Sequence, residues 1–398
     1  MENSRNPSHL GSKGYVIVLV VGLITSLGFS MVYTIVSAYA VDIGSTLSTA
    51  GLVSGIFSIS ALVLRPFSGL LSDRYNKKKV FVLSTLAIAA AFLGYSVSSN
   101  IPLLVFFRMF HGAAFALNGT ASIALISELV PKQRLAEGLG YFGVSQMISR
   151  IVGPSIGASI QAISSYNILF YIITLLHLIA LAILLLLPYE KHSDLHSEKN
   201  QRAAFSDLVA LEVLVYAAVG GVFSLGNGVV NSFLVLMGNE RAIASISLYF
   251  VLNASTVAVA RFFAGRQADQ RSITLIVNAA LFCSAAAMLL LGFAQSLLPV
   301  AVAAVFMGVG LAGGQVSLQA ECIRTVDEKK SGVAASTFYI GADVGNGVGP
   351  ILGGAISSAF SFGTMFLSIS ALLGVTFLVF NAYQRRGAKT GAGLSRVS

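Results

Sequence analysis

The sequence predicts an all-α membrane protein of twelve transmembrane helices in two pseudo-symmetric six-helix bundles. Three observations predict it. Of 398 residues, 56% are hydrophobic and only 10% charged, with a mean hydropathy of +0.83, whereas soluble domains carry about a quarter charged residues. A helix needs about 20 apolar residues to cross the hydrocarbon, and segments of that kind fill almost the whole chain. The two halves also repeat one another at a fixed offset.

The spans run over residues 15–41, 47–71, 80–98, 101–127, 135–161, 167–188, 208–236, 244–264, 273–293, 296–322, 331–358 and 362–383. The first is too long for the apolar core of a signal peptide, and no small-residue cleavage site follows it in a polar stretch, so it is expected to stay as the first span. The longest polar stretch, YEKHSDLHSEKNQRAAFSD at 189–207, separates six spans from six. The expected organisation is a tail at 1–14, a bundle at 15–188, a linker at 189–207, a second bundle at 208–383 and a tail at 384–398. Little chain is left for a soluble domain.

Laying RPFSGLLSD (65–73) over RFFAGRQAD (261–269) pairs Arg65 with Arg261, Gly69 with Gly265 and Asp73 with Asp269. Laying GPSIGA (153–158) over GPILGG (349–354) pairs Gly153 with Gly349, Pro154 with Pro350 and Gly157 with Gly353. Both alignments are shifted by 196 residues. Two separate motifs sharing one offset support the linker position and the six-plus-six division together. Halves of like topology are related by a two-fold axis along the membrane normal and meet around a central cavity. A cavity inside one chain needs no second copy, so a monomer is expected to be functional.

Orientation follows from Lys and Arg. With the N-terminus in the cytoplasm, 20 of the 25 fall on that side, Arg241 alone falls opposite, and Arg65, Arg108, Arg150 and Arg261 lie inside spans. Both termini are then cytoplasmic, in a cell membrane of the bacterial cytoplasmic kind. The net charge of +9 is a topology signal and a partner for anionic lipid headgroups rather than for nucleic acid. With no Trp, any aromatic belt comes from Tyr15, Tyr166, Tyr189 and Tyr383. Cys283 and Cys322 lie in different apolar segments and read as reduced thiols. Paired histidines at metal spacing, a phosphate-binding glycine loop and a nucleophile–base constellation are all missing from the sequence. Neither enzymatic chemistry, a metal nor a cofactor is expected.

Charge gathers in SGLLSDRYNKKKVF, residues 68–81. This loop resembles the signature loop of the major facilitator superfamily, which reads Gly, three residues, Asp-Arg, one residue, Gly and then basic residues. Gly69, Asp73, Arg74, Lys77 and Lys78 match it. Asn76 stands where the family usually has Gly, and Asn is the non-glycine residue that best tolerates a left-handed turn. FFRMFHGAA (106–114) resembles the family's fourth-helix motif through Arg108 and Gly112. GYFGVSQMISRIVGPSIGA (140–158) resembles the fifth-helix motif of its proton-linked exporters through Gly140, Gly153, Pro154 and Gly157, with Ser149 and Ala158 replacing two glycines.

The resemblance covers essentially all twelve helices and implies the major facilitator fold and secondary transport by alternating access. It implies that Asp73 latches one half to the other by accepting from free N–H groups at the N-terminus of the eleventh helix, near Ser331, where the macrodipole favours negative charge. Asp269 is the repeat's counterpart, and Arg74, Lys77 and Lys78 lie at the headgroups. Arg108 is implied to serve proton coupling. The first and seventh helices are implied to line the cavity, which makes Tyr33, Asn227 and Asn231 candidates for substrate contact, joined by Gln146 in the fifth span.

A charge at mid-bilayer costs about 2.5–3.5 kcal/mol on insertion scales, so depth sorts the charged residues. Arg65 and Arg261 lie within two turns of the cytoplasmic boundary and can snorkel. Arg108 is about seven residues, roughly 10 Å, from the outer face, which suits an anchor or a site. Asp343 and Arg150 lie deeper. Under the offset they map to Met147 and Asn346, so the halves put opposite charges on similar faces at similar depth. Burial disfavours a charged carboxylate and a nearby guanidinium favours it, the combination that lets protonation alternate with a conformational change. A static ion pair fits the residues equally well. Pro154 and Pro350 remove backbone donors and kink their helices, while Gly140, Gly153, Gly157, Gly349 and Gly353 permit close helix contact. His111 and His177 read as packed, neutral side chains.

The function expected is proton-coupled efflux, by antiport, of a small amphipathic compound or metabolite. The alternative is uptake or export of an anionic metabolite, a sugar or a metal-chelating small molecule. Either way the partners are a small molecule, protons and the bilayer.

Overall fold

The structure, a computed structural model, describes residues 12–131, 134–188, 209–270, 272–326 and 331–389. Among them are thirteen α-helices and no strand: α1 (Lys13–Tyr33), α2 (Val36–Asp42), α3 (Leu47–Arg74), α4 (Lys77–Val97), α5 (Ile101–Leu129), α6 (Leu135–Ile163), α7 (Tyr166–Leu185), α8 (Leu214–Glu240), α9 (Leu248–Gln270), α10 (Ile273–Phe293), α11 (Leu297–Arg324), α12 (Ser331–Ala359) and α13 (Phe362–Lys389). Nine are long and apolar enough to cross a membrane. The other long ones are α6, α9 and α12, of which α6 and α12 are rich in glycine. At 29 residues each, α6 and α12 reach about 43 Å, beyond the roughly 30 Å of hydrocarbon.

The first predicted span is not one helix. It breaks between Tyr33 and Val36, where Thr34 ends α1 and the Ile35 N–H turns back to the Val32 carbonyl at 3.0 Å. Four β-branched residues in five, from Val32 to Val36, weaken helix propensity there. The Tyr39 hydroxyl fixes α2 beside the end of α4, 2.7 Å from the Ser98 carbonyl and 3.1 Å from that of Tyr95.

Helix starts follow capping chemistry. Asn100 Oδ1 accepts from the Leu103 N–H at 3.0 Å, and the Ser165 and Ser272 hydroxyls do the same for α7 and α10. Each such cap stabilises its helix by about 1 kcal/mol. Asn76 belongs to this set. It has φ −61° and ψ 116° and accepts from the Lys79 N–H at 3.1 Å, so it tolerates the family's glycine position by capping α4 rather than by adopting a left-handed turn.

The chain forms two compact units. Unit 1 holds α1, α2, α3 from Ile56 onward, and α4 to α7. Its neighbours are α1 with α6, α4 with α5, and α4 with α7, and Tyr15 Oη donates to the Gly138 carbonyl at 2.8 Å to tie α1 to the start of α6. Unit 2 holds α8 to α13 and residues Thr46–Gly55, Thr46 together with the start of α3. There α8 packs with α12, α10 with α11, and α10 with α13. Shifted by 196 residues, these are the pairs of unit 1.

The closest contacts are built on glycine. In unit 1 a Cβ on Gly153 would meet Ser30 at 2.6 Å, and one on Gly157 the Met31 carbonyl oxygen at 2.4 Å. In unit 2, Gly341, Gly345 and Gly349, one turn apart along α12, lie so close to α8 that a Cβ would fall within 2.3, 2.0 and 2.5 Å of the Ala217, Gly221 and Leu225 oxygens. The other edge of α12 receives the tip of α3. A Cβ on Gly51 or Gly55 would lie 2.1 Å from the Pro350 or Gly347 oxygen. That small-xxx-small pair, a known helix-association pattern, explains why the first nine residues of α3, Leu47–Gly55, group with unit 2.

Candidate functional site

Unit 1 contains a buried cationic and aromatic cluster. On α5, Arg108, His111, Gly112 and Phe115 fall at spacings of three and four and so share a face. A Cβ on Gly112 would come within 2.3 Å of the Phe57 carbonyl oxygen. Glycine there lets α3 close onto α5, reinforced by Ser60 donating to the Met109 carbonyl at 2.7 Å. This approach sets the Phe57 ring 4.8 Å from the Arg108 guanidinium, within cation–π range. Arg108 is 0% exposed. It is therefore not a snorkelling anchor, the alternative its depth had left open.

Around this centre the rings of Tyr33 on α1, Phe57 on α3 and Phe115 on α5 stack on Phe29 of α1 at 4.9–5.1 Å, and Phe57 and Phe115 pack tilted at 5.5 Å. Phe29, Tyr33 and Phe115 keep part of their surface exposed. The face can stack on flat apolar groups, with a guanidinium directly behind it. Of these rings, sequence reasoning had singled out only Tyr33. Spacing on α5 could have identified Phe115, but Phe29 and Phe57 join through tertiary contact. Behind Arg108, Tyr95 and His111 are hydrogen-bonded at 2.8 Å, and Phe92 packs between His111 and His177 with ring centroids 4.6 and 5.0 Å away.

On α6, Ser149, Gly153 and Gly157 face α1, with Ser149 Oγ donating to the Leu23 carbonyl at 2.9 Å. Gln146 is half-buried and Arg150 exposed. Gly140 differs from the other motif glycines, since a Cβ there would meet nothing within 4 Å. In unit 2, Asp343 is half-buried on α12 and Pro350 fully buried, while Gly353 packs near Met365, Phe233 and Val229. Asn231 donates to the Asn227 carbonyl of its own helix at 2.7 Å, and both asparagines are half-buried. Asp343 and Arg150 belong to different units.

Of the loop residues, the side chains of Gly69, Asp73, Arg74 and the repeat counterpart Asp269 lie outside the described residues. Lys77 pairs with Glu128 of α5. Lys78 donates to the Leu185 and Leu187 carbonyls at 3.1 and 2.7 Å, capping the C-terminus of α7, where a cation is favoured. Both contacts stay inside unit 1. At the start of α6, Arg134 grips Glu137 through two hydrogen bonds of 2.8 and 2.9 Å. Among the described residues no group of three His, Cys, Asp or Glu could hold a metal ion.

Comparison with known proteins agrees with this architecture. The chain is 22% identical over 367 residues to an uncharacterized MFS-type transporter of Methanocaldococcus jannaschii, covering 89% of this chain and 94% of that protein. It is 25% identical over 164 residues to the quinolone resistance protein NorA of Staphylococcus aureus, covering 41% of this chain and 42% of NorA. A crystal structure of a mutant nucleoside transporter NupG superposes with a TM-score of 0.78 at 12% identity, over 92% of this chain and 99% of that one. The sequence profile of the Major Facilitator Superfamily matches twice, at residues 18–225 and 216–395. One match per half, on a fold shared with a solved transporter, means that this multi-pass membrane protein belongs to the Major Facilitator Superfamily.

Proposed function

We propose that the protein is a proton-driven exporter of a small amphipathic compound, working by alternating access in the cell membrane. The observation that carries this reading is the ring cluster of Phe29, Tyr33, Phe57 and Phe115, partly exposed at all but Phe57, with buried Arg108 behind it. Flat apolar molecules stack on such a face, and a polar tail finds the guanidinium. The local similarity to NorA, a quinolone resistance protein, supports outward transport. In this reading Asp343 takes up and releases the coupling proton, with Arg150 and Arg108 as the charges that respond. Asp73 and Asp269, with Gly69, Arg74, Lys77 and Lys78, steady one conformation, and the glycine and proline surfaces of α6 and α12 let helices slide past one another. Tyr33, Gln146, Asn227 and Asn231 contribute polar contacts to the substrate.

A second reading, transport of an anionic compound, is favoured by Arg150, which stays exposed on α6. One experiment tests both. Proteoliposomes are loaded with ethidium, an aromatic cation, or with a carboxylate-bearing quinolone, and the outside is acidified. The proposal expects gradient-driven efflux of at least one probe, lost on adding an uncoupler and reduced to the no-gradient rate in Asp343→Asn and Arg108→Gln. Efflux of the quinolone alone favours the anionic reading. Gradient-driven efflux at the wild-type rate in Asp343→Asn removes that residue from coupling.

A further inference from the structure

At one end of unit 1, α2 and α4 stop while α5 and α7 begin, and on the orientation expected from Lys and Arg this is the outer end. A crevice of about 300 Å³ opens there among the end of α2, the α4–α5 connection and the start of α7, with Asp42, Ser99, Ser165, Tyr166 and Asn167 in its lining. That volume lies at the lower end of the range for small-molecule sites. The crevice shares no lining residue with the ring cluster around Arg108.

Its back wall is fixed. Tyr39 is 4% exposed, and its hydroxyl is held against the Ser98 and Tyr95 carbonyls at the end of α4. The Tyr39 ring lies 5.1 Å from that of Tyr166, tilted by 46°. Tyr166 keeps part of its surface exposed, and Asp42, Ser99, Ser165 and Asn167 are exposed.

Charge decides which guest fits. Asp42 is the one charged residue in segments 34–46, 98–100 and 164–165, which close this end, and among the described residues it forms no ion pair. The N-termini of α5 and α7 would favour an anion. There, however, Asn100 and Ser165 already accept from the Leu103 and Ile168 N–H groups, and a carboxylate beside them repels one. A cation is therefore the better guest. Calcium takes six to eight oxygen ligands, carboxylates prominent among them, whereas Asp42 is the only carboxylate in this lining. A cation with an apolar body uses both features of the site. Its charge meets Asp42, and its body rests on the Tyr166 ring, where cation–π attraction adds to the contact.

We propose that this crevice is an outer binding site for a small organic ammonium ion, with Asp42 as the counter-charge and Tyr166 as the wall that receives its apolar body. The site does not depend on the coupling role given to Asp343.

The test uses intact cells expressing the full chain with Ser99→Cys and a membrane-impermeant maleimide. Benzyltrimethylammonium is the probe and benzyl alcohol its uncharged control, while the parent protein, with Cys283 and Cys322 inside helices, gives the background. Ser99→Cys should be labelled from outside. The probe, in excess over its Kd, should slow that labelling by about threefold or more, as mass action requires, and benzyl alcohol should not. Adding Asp42→Asn should remove the protection, and adding Asp343→Asn should leave it. Asn167→Cys gives the same readout where Ser99→Cys fails to reach the membrane. Protection that survives Asp42→Asn, equal protection by benzyl alcohol, or no protection by the probe overturns the proposal. So does a lack of outside labelling at both cysteines in protein that has reached the membrane, since the crevice then does not open outward. Protection lost with Asp343→Asn would show that the probe acts from unit 2, and would overturn it as well.

Discussion

Arg108 has no exposed surface, so its charge is accommodated by neighbours rather than by headgroups, among them the Phe57 ring of α3 at 4.8 Å. The same economy appears at Asn118, whose amide donates to Ser84 and Thr85 at 3.1 and 2.9 Å. Both hydroxyls keep their own bonds to the Phe81 carbonyl. Asn118→Ala is expected to cost about 0.6–1.7 kcal/mol, the range for such bonds within a bilayer, read as a modest drop in Tm in detergent. The Arg134–Glu137 pair makes the opposite case. The pair is exposed and screened, so Glu137→Gln should leave Tm unchanged between pH 5 and 8. A clear difference would show that the pair does more than start a helix.

At the scale of elements, α12 is organised by glycine on two edges, one against α8 and the other against the tip of α3. Gly345→Leu would drive a side chain toward the Gly221 carbonyl. It should destabilise the protein by about 1–3 kcal/mol or more, as overpacking does, measured by thermal unfolding in detergent. Gly140→Ala meets open space and gains helix propensity of up to about 1 kcal/mol, so its Tm should hold or rise. The α12 glycines at 349 and 353 were legible in the sequence because they recur in the repeat. Gly51 and Gly55 carry their own small-xxx-small spacing, yet only contact with α12 distinguishes them from the many other glycines. The break between α1 and α2 was not legible, because no proline or glycine marks it and local β-branching is a weak signal beside the apolar run.

For the whole molecule, the asymmetry of Lys and Arg leads to a topology that can be tested without a substrate. Reporter fusions at the N-terminus and after residue 398 should read as cytoplasmic, and a tag beside Arg241 should read as external. An external C-terminus would reverse every assignment of inner and outer ends. The loop between α8 and α9 holds Arg241 tightly, since its guanidinium donates to the Leu291, Gly292 and Ala294 carbonyls at 2.6–3.1 Å. The single basic residue predicted on the outer side therefore caps α10 instead of competing with the positive-inside signal.

The sequence by itself determined that this chain crosses a membrane many times, that its halves repeat at 196 residues and that it belongs with the major facilitators. The first two depend on composition and spacing and the third on the resemblance of short motifs, all of them local to stretches of the chain. Tertiary structure alone decided that Arg108 is a buried centre and not a snorkelling anchor, that Phe29 and Phe57 share its surroundings, and that Tyr95 and His111 are hydrogen-bonded in the same interior. Each of these joins residues from different helices, and side chains far apart in sequence carry no periodic mark of which neighbour will satisfy their hydrogen bonds once water is excluded.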